Sequence, residues 1–112
     1  MPFINIKTNT AVSAGQGEAL KSALGASIGV IPGKSEDWLM VNIEDSCRLY
    51  FRGTDEPAVI AQVQIYGSPS KAAMSALTGK ITEAVGALGI SPGRVYVSYM
   101  CTDDWGFNGS NF

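Results

Sequence analysis

Apolar and polar residues alternate from Phe3 to Asn9, with Ile4 and Ile6 set against Asn5 and Lys7. That two-residue period predicts a half-buried strand. The period then lengthens. Leu20, Leu24, Ile28 and Ile31 fall on one helical stripe. Ser13 with Gln16 three positions on fits a capping box at the start of that helix, and Gly29 and Pro32 close it. Alternation returns from Trp38 to Glu44. Leu39, Val41 and Ile43 share one face of a predicted strand, and Trp38, Met40 and Asn42 share the other.

The second half of the chain follows the same plan. From Ala58 to Tyr66, Val59, Ala61, Val63 and Ile65 face one way and Ile60, Gln62, Gln64 and Tyr66 the other. Pro69 suits the first turn of a helix. Met74, Leu77, Ile81, Ala84 and Leu88 form its apolar stripe, and Gly89 caps it. From Arg94 to Cys101, Val95, Val97 and Tyr99 face inward, and Tyr96, Ser98 and Met100 face out. The segment Ile31-Pro32-Gly33-Lys34 resembles Ile90-Ser91-Pro92-Gly93-Arg94, with prolines 60 positions apart. A duplicated β-α-β unit accounts for this, over residues 1–45 and 58–102, with a tail at 103–112, all in one domain of residues 1–112.

Strands joined through a helix run parallel with a right-handed crossover. The expected fold is α+β, an α/β two-layer arrangement: a four-stranded mixed sheet with both helices on one face. The other face carries Trp38, Met40, Gln64, Tyr66 and Tyr96. An apolar patch of that kind points to an interface and hence to an oligomer.

Composition narrows the choices. The chain has 112 residues, 46% apolar and 16% charged, with net charge −2. Eight Lys and Arg with no basic stripe argue against nucleic acid as a partner. No apolar run is long enough for a membrane span. The start MPFINIKTN lacks the basic and apolar regions of a signal peptide, so a cytoplasmic location is expected, with any secretion by a leaderless route. There is no histidine, which removes Ser-His-Asp and Cys-His nucleophiles and histidine metal sites. No cofactor and no metal are expected. Cys47 and Cys101 form no CxxC and read as reduced thiols buried as small apolar residues.

Candidate chemistry lies at the first two residues. Met1-Pro2 leads directly into a strand. Methionine before a small residue is normally trimmed, which would leave Pro2 with a free secondary amine. An α-amine sits near pKa 7.7–8.0 in peptides, and burial or a nearby cation lowers it further. Pro2 is therefore a candidate general base at neutral pH.

Met1-Pro2, Thr8-Asn9 at the end of strand one, Gly33-Lys34, the run Ile90-Ser91-Pro92-Gly93-Arg94-Val95-Tyr96 and the tail Trp105-Gly106-Phe107-Asn108-Gly109-Ser110-Asn111-Phe112 together resemble the macrophage migration inhibitory factor family. That family includes D-dopachrome tautomerase and belongs to the tautomerase superfamily, and the resemblance spans the whole chain. It implies a homotrimer whose sheets wrap a central channel, with active sites between subunits. It implies a cofactor-free tautomerase in which Pro2 moves a proton between carbon and oxygen of a small aromatic α-keto acid or its enol. Lys34 matches the lysine that holds the substrate carboxylate and depresses the proline pKa. Tyr66 stands where the family has an isoleucine whose amide binds substrate. Tyr96 matches a tyrosine supplied by the neighbouring subunit, and Ser98 replaces the asparagine beside it. Trp38, Trp105, Phe107 and Phe112 match positions that line an aromatic pocket.

Further departures are Ser35 in place of a proline, Phe107 in place of a frequent tryptophan, and Ala58-Val59-Ile60-Ala61 in place of a CxxC. The last removes support for a thiol oxidoreductase. Two other roles stay open at this stage. One is a cytokine-like protein that binds a cell-surface receptor and keeps a vestigial site. The other is a dehalogenase or hydratase of the same superfamily, which needs paired arginines near the proline. No motif places Arg48, Arg52 or Arg94 there.

Overall fold

The computed structural model describes residues 1–112. Strand β1 (Pro2–Thr8) is followed by α1 (Ala14–Ser27) and β2 (Met40–Glu44). Then come β3 (Val59–Tyr66), α2 (Lys71–Gly86) and β4 (Val95–Thr102). The sheet order is β2-β1-β3-β4. β1 runs parallel to β2, β3 parallel to β4, and the two inner strands are antiparallel. The two-layer mixed sheet read from the sequence is the fold observed.

The core lies between sheet and helices. Leu20, Leu24 and Ile28 from α1 and Leu77, Ile81 and Val85 from α2 pack on Ile4, Ile6, Val59, Ala61, Val63 and Ile65. Burial of each large aliphatic side chain contributes about 1.5–3 kcal/mol. Val85 is fully buried where Ala84 was expected to be, because the stripe turns slightly round α2; Met74, Ala84 and Leu88 sit at its margin.

Helix entry follows the local sequence. Ser13 accepts from the Gln16 amide while the Gln16 side chain accepts from the Ser13 amide, a complete capping box. Ser70 caps α2 by accepting from Ala73, so Pro69 precedes the cap rather than opening the first turn.

Two other expectations are corrected. Trp38 is not in a strand: Glu36–Trp38 form a 3₁₀ turn and β2 begins at Met40. A Cβ at Gly25 would occupy the space of the Glu36 carboxylate, so this glycine lets the turn seat on α1. Cys101 is exposed and Cys47 only half-buried, so neither is a core residue in the single chain. The tail is structured: β5 (Gly106–Phe107) and β6 (Ser110–Asn111) form a hairpin. Asn108 and Gly109 at its turn both have positive φ, 55° and 92°, the type I′ pattern that matches strand twist.

The two look-alike proline segments build different turns. Lys34 donates its amide to Ile31 across Pro32 and Gly33, and Gly33 has φ 78°. That is the type II arrangement, with proline second and glycine third. Pro92–Arg94 instead form a 3₁₀ turn in which Gly93 needs no positive φ.

The sheet face away from the helices is open. Met40, Tyr96 and Met100 on it are 60–68% exposed, while an in-register polar row crosses between them. In that row Asn42 donates to Asn5 at 2.9 Å and Asn5 to Gln62 at 3.2 Å. No helix is long and apolar enough to cross a membrane.

Candidate active site

The N-terminal end of β1 is held from both sides. Pro2 pairs with Ile65 of β3 and is itself buried. The next residue of β3, Tyr66, donates its amide to the Met1 carbonyl at 3.1 Å. The type II turn after α1 carries Lys34 to the same place. Its Nζ donates to the Tyr66 carbonyl at 2.7 Å and lies 5.8 Å from the centre of the Tyr66 ring.

These contacts define the electrostatics at the chain start. In the full chain the Pro2 nitrogen is an amide and the free amine belongs to Met1. That amine is lowered from 8.0 to about 6, first by burial and then by the hydrogen bond and positive charge of Lys34. Both causes disfavour the charged form of an amine. The Met1 amine is therefore mostly neutral at pH 7.

A cleft of about 380 Å3 opens beside Lys34 and Tyr66, bounded by Ile31-Pro32 and by Ser68–Ser70 before α2. A second groove of about 350 Å3 lies between α1 and α2, lined by helix residues and away from Lys34.

The aromatic residues form three separate pairs. Phe112 packs on Tyr66 with ring centres 5.2 Å apart. Phe107 meets Trp38 edge to face at 5.4 Å. Both partners come from the C-terminal hairpin, which thus ties the 3₁₀ turn and the end of β3 to one element. Trp105 is half-buried and its carbonyl accepts from the Phe112 amide at 3.0 Å, closing that element on itself.

The third pair is elsewhere. Tyr96 lies across from Ile60, whereas Pro2 lies across from Ile65 and, through it, Cys101. Five residues of strand, about 17 Å, separate the two levels. Ser98 sits opposite Gln62 between them. Within one chain, then, Pro2, Lys34, Tyr66 and Phe112 come together, Trp38 and Phe107 form a neighbouring pair, and Tyr96 and Ser98 are apart.

Tyr96 has its own support, which no local pattern in the sequence signals. Phe51 packs edge to face on it at 4.9 Å, and the Arg94 guanidinium lies 5.2 Å from the Phe51 ring. Arg94 donates to the carbonyls of Phe51, Thr54, Glu56 and Pro57 at 3.0–3.4 Å. Asn9 binds the same loop from the other side, donating to Leu49, Asp55 and Glu56 and accepting from Ala58. Arg94 is thereby committed to holding the 49–57 loop.

Comparison with known proteins agrees with this fold and its sequence. The family model described as macrophage migration inhibitory factor matches residues 1–112. A macrophage migration inhibitory factor homolog from Trichuris trichiura is 30% identical over 118 residues, covering 100% of both chains. The crystal structure of MIF2 from Leishmania major superposes with a TM-score of 0.93 at 29% identity, covering 100% of this chain and 97% of that one. The homologue from Prochlorococcus marinus shares the fold at a TM-score of 0.88 and 23% identity, covering 98% of each chain.

Proposed function

The chain belongs to the macrophage migration inhibitory factor family, and from that premise we propose that it is a cofactor-independent keto–enol tautomerase of the phenylpyruvate or dopachrome type, with Pro2 as base and acid. The observation that carries this reading is the convergence of the Lys34 ammonium and the Tyr66 amide on the start of β1. Removal of Met1 takes its carbonyl away with it. The Pro2 amine and the Tyr66 N–H are then both freed beside Lys34.

The proposed step needs nothing else. Lys34 holds the carboxylate of an α-keto acid. The neutral Pro2 amine takes a proton from the carbon next to the carbonyl. The C–H electron pair becomes the C=C bond, and the carbonyl π pair moves to oxygen. Hydrogen-bond donors aimed at that oxygen stabilise the developing charge. Protonated Pro2 then delivers its proton to the oxygen, completing the enol; the reverse sequence returns the keto form.

The open sheet face supports the second part of the proposal, a homotrimer with its sites between subunits. Met40, Tyr96 and Met100 leave large apolar side chains exposed on that face of the single chain, as an interface would. Tyr96 lies too far from its own Pro2 to serve it, so a neighbour's Tyr96 completes the site, with Ser98 beside it. Trp38, Trp105, Phe107 and Phe112 are proposed to contact the aromatic part of the substrate.

The test is an enol–keto assay on phenylpyruvate, using chain shown by mass spectrometry to begin at Pro2. Turnover above the buffer rate is expected. A correctly trimmed, trimeric chain without turnover overturns the proposal.

A further inference from the structure

Tyr66 meets Lys34 in two ways that have different origins. Its carbonyl accepts from Lys34 Nζ at 2.7 Å, a contact any residue at this position would offer. Its ring presents itself to the same ammonium at 5.8 Å, a contact only an aromatic residue offers. The ring is in turn backed by Phe112 at 5.2 Å. Lys34 extends from an exposed turn, and a free lysine there would sample many rotamers. Ordering such a side chain on binding a ligand weakens the binding.

We infer that the Tyr66 side chain is a positioning and specificity-determining residue: its ring, backed by Phe112, holds the Lys34 ammonium at the cleft in advance and so selects substrates with a free carboxylate over their esters. The inference rests on the proposed role of Lys34 as a carboxylate clamp and adds how the clamp is set. A preorganised cation meets a carboxylate without further ordering. An ester gains less from it, because it offers the ammonium only neutral oxygens. The cleft beside Lys34 has room for such a head group, at about 380 Å3.

The effect is read as a ratio, so that general damage to the site cancels. kcat/KM is measured for phenylpyruvate and for its methyl ester in wild type, Tyr66→Phe and Tyr66→Ile, each trimmed to Pro2. A cation–ring contact at a partly exposed site corresponds to about a two- to fivefold change. Tyr66→Ile should therefore lower the acid-to-ester ratio by about two- to fivefold, and Tyr66→Phe, which keeps the ring, should hold the wild-type ratio. An unchanged ratio in Tyr66→Ile overturns the inference. So does a Tyr66→Phe ratio that falls as far as that of Tyr66→Ile, since the hydroxyl and not the ring face would then be responsible.

Failure of the tautomerase proposal itself is seen separately, as a wild-type chain that turns over neither substrate. Binding of phenylacetate, an unreactive carboxylate, then decides by calorimetry. A Kd weakened at least twofold in Tyr66→Ile and unchanged in Tyr66→Phe supports the clamp. Equal binding by wild type and Tyr66→Ile overturns it.

Discussion

The amide of Tyr66 donates to the carbonyl of Met1 at 3.1 Å, extending the β1–β3 pairing one residue beyond Pro2. Met1 thus occupies the donor proposed for substrate, and it converts the Pro2 nitrogen into an amide. Both blocks disappear with one cleavage. Placing an alanine between Met1 and Pro2 makes Pro2 a permanent tertiary amide without touching the core. Loss of one general acid–base group typically costs about 10²–10⁴-fold. The inserted chain should lose at least about a hundredfold in kcat while keeping its assembly and circular dichroism. Wild-type turnover by such a chain would remove Pro2 from the reaction.

Lys34→Ala should act on binding and on the base together. Removal of a carboxylate clamp raises KM more than it lowers kcat. It also takes away a positive charge that helps hold the Met1 amine of the full chain near 6 and that is proposed to lower the Pro2 amine of the trimmed chain in the same way. The sign follows directly: the amine is an active base above its pKa, so the rate rises with pH through that midpoint. Without Lys34 the amine pKa rises, and the acidic limb of kcat/KM moves to higher pH. An unmoved limb with unchanged KM would make Lys34 a bystander.

The Met1 amine gives the untrimmed chain a pH-dependent stability. Its pKa is about 6 when folded and 8.0 as the reference value, so between those values the unfolded state holds more protons. Stability then rises with pH across that window; below it both states are protonated, and above it neither is. The chain has no histidine, the side chain that normally titrates there, so the window is open to view. Urea midpoints of Met1-bearing chain should increase from pH 6 to pH 8 (about the two pKa values), and less steeply in Lys34→Ala. A flat profile in wild type would contradict the observed environment of the N-terminus.

The strands and helices were legible because each is written in a local period. Ile4 and Ile6 mark β1, Leu20, Leu24 and Ile28 mark α1, and Ser13 with Gln16 marks the cap. Trp38 was not legible as part of a turn, because Glu36 seats on Gly25 of α1, a tertiary contact that alternation cannot express. The hairpin was legible in principle: Asn108-Gly109 is the dipeptide that a type I′ turn favours. The two Pro-Gly segments look alike and differ in fold, since only the first places its glycine third in a four-residue turn. Pro2 stood out from the chain start itself, and the rest of the candidate site was readable only by resemblance. Lys34 and Tyr66 meet across 32 positions of chain, and nothing local links them.

Arg94 illustrates the same limit and carries a prediction. Its four carbonyl contacts and its stacking on Phe51 fix the loop against which Tyr96 rests. Arg94→Gln keeps some polarity but loses the fork. Most of these carbonyls are exposed and can be hydrated instead, so the loss is about 0.5–1.5 kcal/mol. A fall in melting temperature is expected, with faster amide exchange confined to residues 49–57. Unchanged exchange in that loop would show that Asn9 holds it alone.

Tyr96 and Pro2 stand about five strand residues, or roughly 17 Å, apart in one chain, and that separation makes the shared site directly testable. Under the proposed shared site Tyr96→Phe removes a donor to the developing oxyanion, for which a loss of about 10²–10³-fold in kcat is typical. The alanine-inserted chain lacks the base. Each variant alone has every site broken. In a mixed cyclic trimer, a site formed by Pro2 of the Tyr96→Phe chain and Tyr96 of the inserted chain has both groups intact. Equal mixing, unfolding and reassembly should restore about one site in four if the interface is head-to-tail. Mixing without unfolding gives the baseline against which the restored activity is read. If the reassembled mixture remains as inactive as its parents while reassembled wild type recovers, base and tyrosine act within one subunit or not together, and the shared site is wrong.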